Sequence, residues 1–157
     1  MNPRELLIET TPFIAPARAL EGLTTEEAER RLSPAHSIAE IVAHLAFWQD
    51  WFRERCEGGT EPMAAAAALG WVAPSPGAWP EVRARFLEGL ERLVVLGSQA
   101  DVNRPVEPPL EFPPIAHYTV GDSLVHVANH NAHHLGQVVL LRRLIGRWPP
   151  PSGSWTW

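Results

Sequence analysis

Apolar residues recur every three or four positions in three stretches of this chain. In the first, Ile41, His44, Phe47, Trp48, Trp51 and Phe52 share a face flanked by Glu40. In the second, Val82, Phe86, Leu90, Leu93 and Gly97 line up, while Glu81, Arg83, Arg85 and Glu91 mostly turn away. In the third, Val127, His130, His134, Val138, Leu141 and Ile145 form the stripe. This period is the mark of amphipathic helices. Proline marks the same stretches by its absence. The chain carries 16 prolines, yet none falls within 35–61, 81–104 or 115–148, and each would cost about 3 kcal/mol inside a helix.

Boundary residues agree with the periodicity. Ser37 and Glu40 form an S-x-x-E capping box, and Gly58-Gly59 closes the first helix. The second begins after Pro80 and runs to Gly97 or a little beyond. The third has Thr119 with Asp122 three residues later and stops at Gly146, before Pro149-Pro150-Pro151. A fourth helix is expected from about Pro3 to Leu20, with a kink or early stop at Pro12 and Pro16. Thr24 or Thr25 caps a short extra turn through Glu29 and Arg30, and the Ala64–Ala68 run suits another. No segment alternates as a strand does. The connectors 58–80 and 100–118 exceed the usual bundle loop of roughly 2–8 residues, and such crossovers permit departures from up-and-down order. The expected fold is an all-α four-helix bundle with long crossover loops, one domain over 1–157.

Composition narrows the function. A chain of 157 residues can hold a core without staples, and Cys56, its one cysteine, cannot form an internal disulfide. The net charge of −5 and the pI of 5.8 speak against nucleic-acid binding, as does the lack of a basic stripe. No apolar run is long enough for a membrane span, and MNPRELLIETTPF does not read as a secretory signal. A cytoplasmic protein is expected. All 13 basic residues are arginine.

Four of the 7 histidines crowd into His126-Val-Ala-Asn-His130-Asn-Ala-His133-His134. With His130 at zero, a helix places His126 at about −40°, His133 at about −60°, His134 at about +40° and Gln137 at about −20°. An isolated histidine on an apolar face is ordinarily a packing residue. Several together are harder to dismiss, because each buried imidazole needs a partner. Two i,i+4 pairs overlap, His126/His130 and His130/His134, and spacing alone selects neither. The H-E-x-x-H glutamate is missing, so metalloprotease chemistry is not supported. His44, central on the first stripe, supplies a third ligand if the two helices face each other. Three imidazoles leave coordination positions open, the pattern of a catalytic site, and suit Zn, Ni, Fe or Cu.

Ser37-Ile-Ala-Glu-Ile-Val-Ala-His44-Leu, followed by Trp48 and Trp51, resembles the second-helix motif of the DinB-like superfamily. His126-x₃-His130-x₂-His133-His134-Leu-Gly-Gln137 resembles its last-helix motif, in the expected order and at the expected separation. The resemblance implies an up-down-down-up bundle, often dimeric, holding a divalent metal through His44, His130 and His134. His126, His133 and Gln137 then fall to supporting or substrate-binding roles. Leu135 stands where many members have arginine.

Members of that superfamily include transferases and isomerases that use low-molecular-weight thiols such as bacillithiol or mycothiol. The resemblance therefore implies metal-dependent transfer of a thiol to a small electrophile, with Zn or Ni expected and Fe as a further option. Hydrolysis of a small ester or amide is a second reading, but it needs a general base, and Glu40 reads as a capping residue. A non-enzymatic metal-binding stress protein is a third, kept open by the tryptophan-rich tail ending in Trp155 and Trp157. Arg142 and Arg143 fall on the outer side of their helix, and Arg55 reads as a surface residue. Cys56 has no nucleophile's partner in sequence. Trp71 and Trp79 are equal candidates to roof the site.

Overall fold

The computed structural model describes residues 1–10, 12–32 and 34–154. It is all-helical, with α1 (Pro3–Leu7), α2 (Pro16–Ala19), α3 (Thr25–Glu29), α4 (Ile38–Cys56), α5 (Met63–Leu69), α6 (Trp79–Gln99) and α7 (Val120–Leu144). A 3₁₀ turn spans Pro113–Ile115. Among the described residues the one β-type pairing is a single bridge between Pro105 and Thr119.

The three long helices are those the periodicity predicts. Ser37 accepts from the Glu40 N–H at 3.2 Å while the Glu40 carboxylate accepts from the Ser37 N–H at 2.8 Å. Thr119 and Asp122 reciprocate in the same way at the start of α7, as do Thr24 and Glu27 at α3. Each box satisfies two N–H groups that a helix start leaves without partners. Beyond α7, Gly146 takes φ +73°, a left-handed turn that residues with a Cβ rarely adopt.

The N-terminal member of the bundle is the exception. The helix expected from Pro3 to Leu20 stops at Leu7 and resumes only as α2. Pro16 lacks an N–H and opens that second piece at its first position, where the missing donor costs nothing.

Cross-helix contacts fix the directions. Gly97 of α6 lies so close to Leu124 of α7 and Pro3 of α1 that a Cβ there would meet them at 2.7 and 2.8 Å. Asp50 of α4 bonds Arg85 of α6 at 2.9 Å, and Phe52 of α4 packs on His126 of α7, ring centroids 4.7 Å apart. Helices α4 and α6 therefore run parallel, and α7 and the N-terminal pieces run opposite to them. That is the up-down-down-up order, made possible by the long crossover 57–78. Phe86, Leu90 and Leu93 of α6 meet Ile41, Leu45 and Phe52 of α4 and Val127, Leu135 and Val138 of α7 in one buried core. Leu135, the departure from the family pattern, is a core residue here at 1 % exposure.

Two arginines overturn their expected surface placement. Arg55 is 1 % exposed and donates to the carbonyls of Glu61, Pro108 and Pro109 at 3.2, 2.9 and 3.0 Å, and to Glu111 at 3.2 Å. One guanidinium thus ties α4 to both crossovers. Arg142, also 1 % exposed, donates to Ala19 O at 2.7 Å and Arg147 O at 2.9 Å, fastening α2 and the tail to α7. Carbonyls left over in irregular segments are acceptors that helical periodicity does not reveal. The tail folds back as far as Ser152, which meets Glu21 and Arg18; Trp155 and Trp157 lie outside the described residues. No described helix is long and apolar enough to cross a membrane.

Candidate metal centre

Antiparallel packing of α4 on α7 brings His44 against His130 and His134. Their ligand atoms all lie within 4.8 Å of one another. The Nε2 atoms of His44 and His130 are 3.2 Å apart, close to the edge of about 3.3 Å that two nitrogens span around a tetrahedral zinc ion. Ring centroids of His44–His134 and His130–His134 stand at 4.9 and 4.7 Å.

The donor set passes a chemical test of fit to a divalent ion. His44 Nδ1–H donates to the Gly70 carbonyl at 2.6 Å, so its Nε2 carries a bare lone pair. His134 Nδ1–H donates to Gln137 Oε1 at 3.0 Å with the same result. Outer partners of this kind fix the tautomer of a metal-ligating histidine and orient its ring. Burial also keeps the imidazoles neutral, the form that binds metal. It pushes His130 down to about 3, helped by the neighbouring histidines. Burial lowers His44 against the pull of the Gly70 carbonyl, and lowers His134 against that of Gln137.

Of the other residues singled out by sequence, Gln137 joins the group through His134 and reaches His133 Nε2 at 3.3 Å with its amide nitrogen. His133 itself is exposed. His126 stands one turn before His130 and meets the Tyr118 hydroxyl through Nδ1 at 3.2 Å. Glu40 is engaged by its cap and by Arg31 at 2.6 Å, which holds its carboxyl down at about 2. Cys56 is buried, and burial raises its thiol pKa. Both residues are unsuited to catalysis, as their sequence positions suggest.

The two crossover tryptophans part company. Trp79 is buried and bonds Leu23 O at 3.2 Å. Trp71 lies on the site, stacked on His44 at 3.7 Å on one face and on His36 at 4.2 Å on the other. His36 and Gly70 were not legible as parts of the site. Their only signal is proximity in sequence to Ser37 and Trp71.

Below the histidines opens a cavity of 280 Å³. Trp48 and Phe52 of α4, Met63 of α5, Phe112 and Ile115 of the second crossover, and His126 and His130 of α7 line it. A more polar pocket of 400 Å³ adjoins it across His126 and His130, edged by Tyr118, Asp122 and Asn129.

The family model of the DinB superfamily matches residues 17–138, more than half of the chain and both histidine-bearing helices. The chain belongs to the DinB superfamily. No curated protein and no solved structure matches it significantly.

Proposed function

We propose that this protein is a divalent-metal-dependent thiol transferase that joins a low-molecular-weight thiol of the bacillithiol or mycothiol type to a small electrophile. The observation that carries this reading is the convergence of three neutral imidazoles, one of which, His130, also lines an adjoining apolar cavity that has no carboxylate among its described lining residues. His44, His130 and His134 would hold Zn or Ni, with Fe as a further option. When bound, such an ion supplies the Lewis acidity that lowers the pKa of a thiol.

The chain's own residues do the rest. Gly70 and Gln137 hold two of the ligands in their binding tautomer. Three protein ligands leave room for a further one. The polar pocket edged by Tyr118, Asp122 and Asn129 suits the hydroxyl and amide groups of a polar thiol. Hydrolysis ranks lower, because Glu40 is committed to its cap and no Asp or Glu is among the described residues that line the 280 Å³ cavity.

A direct test follows loss of thiol with 1-chloro-2,4-dinitrobenzene as acceptor. The thiolate sulfur bonds to the ring carbon, chloride leaves with the bonding pair, and the thiol proton passes to buffer. Zinc- or nickel-loaded protein is expected to accelerate this with bacillithiol or mycothiol, and His130→Ala to lose the effect. No acceleration by loaded wild type with either thiol would count against the assignment. The homodimer implied by the family is part of the proposal, supported by the exposed Leu140 and Leu144 on α7. Sedimentation should give twice 17.4 kDa, and a lone monomer would remove that part.

A further inference from the structure

We propose that the 280 Å³ cavity beside the histidines is a subsite for an uncharged, planar aromatic molecule of one or two fused rings. The proposal deepens the transferase reading, on which it rests for naming this molecule the electrophile.

Size sets the first limit. An apolar cavity of about 150 Å³ accommodates benzene, so one of 280 Å³ fits a bicyclic or substituted ring and little more. Charge sets the second. Among the described residues no Asp, Glu, Lys or Arg lines the cavity, so in the metal-free protein an ionised ligand would lose its water without gaining a counter-charge.

Ring geometry sets the third limit. Trp48 and Phe52 meet at 6.4 Å and 48°, and Phe52 and His126 at 4.7 Å and 37°. These tilted plates leave faces and edges against which another aromatic ring packs at roughly 4.5–7 Å. Met63 adds a polarizable sulfur, which favours aromatic neighbours.

The cavity is also a built one. Arg55, itself buried, grips Glu61 O of one crossover and Pro108 O and Pro109 O of the other. It thereby fixes the segments that carry Met63, Phe112 and Ile115. His130 belongs to both the cavity wall and the histidine group, so a bound ring lies beside the centre where the thiol would be activated.

Isothermal titration of metal-free and zinc-loaded protein with three ligands on one skeleton tests the assignment. We expect 2-naphthol to bind at a single site in both forms, 2-naphthoate to bind the metal-free protein about tenfold more weakly or worse, and decahydro-2-naphthol to bind more weakly than 2-naphthol. Met63→Trp, filling the cavity from α5, should abolish 2-naphthol binding. Phe112→Ala, at the half-exposed rim where the fold is not at risk, should weaken it about threefold. Equal binding of 2-naphthoate and 2-naphthol to the metal-free protein, equal binding of decahydro-2-naphthol, or 2-naphthol binding that neither variant alters, overturns the proposal. A wild type that binds 2-naphthol but no metal supports the subsite and removes the transferase reading. One that binds metal but not 2-naphthol overturns the subsite alone.

Discussion

The indole of Trp71 lies flat on the imidazole of His44, ring centroids 3.7 Å apart and planes 12° from parallel. The preceding residue, Gly70, accepts the His44 Nδ1–H at 2.6 Å. One turn of the first crossover therefore both covers the three histidines and sets the tautomer of His44. Trp71 is 42 % exposed and does not hold the core together. Trp71→Ala should weaken zinc binding about tenfold while leaving the metal-free melting temperature nearly unchanged. Competition titration against a chromophoric chelator reads the first, and calorimetry the second. Unchanged zinc affinity would mean that the stack is mere packing.

Gln137 offers a two-signed test. Its Oε1 accepts from His134 at 3.0 Å, and Gln137→Leu removes that acceptor. The expected loss in metal affinity is about 10–100-fold. Gln137→Glu places a carboxylate on the same proton, makes His134 a stronger base and should tighten binding. Equal affinities for both variants would show that the amide does not act on the metal.

Acid should destabilise the metal-free protein in a defined window. Folded His130 titrates at about 3, against its ordinary 6.5. Between those values the unfolded chain holds more protons than the folded one, so stability rises with pH there. This contribution is complete above pH 6.5 and is lost as pH falls toward 3. Glu40, lowered from 4.5 to about 2 chiefly by Arg31, adds a loss of the same sign below pH 4.5. The urea midpoint should therefore fall steadily from pH 6.5 to 4, and His130→Phe should flatten the upper part of the curve. A wild-type midpoint that stays level over this range contradicts the burial of the histidines.

Much of this was legible in the sequence. The 3.6-residue period locates α4, α6 and α7, and local chemistry decides their starts, through capping boxes at α4 and α7 and Pro80 in the first turn of α6. His44 and the run His126 to His134 stand out because polar rings interrupt apolar stripes, and the resemblance to the DinB-like superfamily, not spacing, selects His44, His130 and His134 among them. Partners that depend on the path of irregular chain were not legible. Arg55 reads as a surface cation because the carbonyls of Pro108 and Pro109 come to it from a distant crossover. Trp71 and Trp79 are equivalent as letters, and only the fold seats one on His44 and the other in the core.

Arg55 is the device that ties both crossovers to α4. Arg55→Met would take the guanidinium donor from Pro108 O and Pro109 O, while Glu61 O keeps Trp51 Nε1 at 3.1 Å, and should cost about 2 kcal/mol in urea unfolding. Glu111→Gln, at a half-exposed partner, should cost far less. Similar losses for the two variants would move the anchor from the carbonyls to the ion pair.

The central claim is that His44, His130 and His134 form one metal site, and elemental analysis of untagged protein tests it most directly. The account predicts about one equivalent of zinc or nickel in the wild type and in His133→Ala, and almost none in His44→Ala, His130→Ala or His134→Ala. A wild type that holds no metal and gains no thermal stability from added Zn²⁺ or Ni²⁺ would contradict it, and the three imidazoles would then be packing residues.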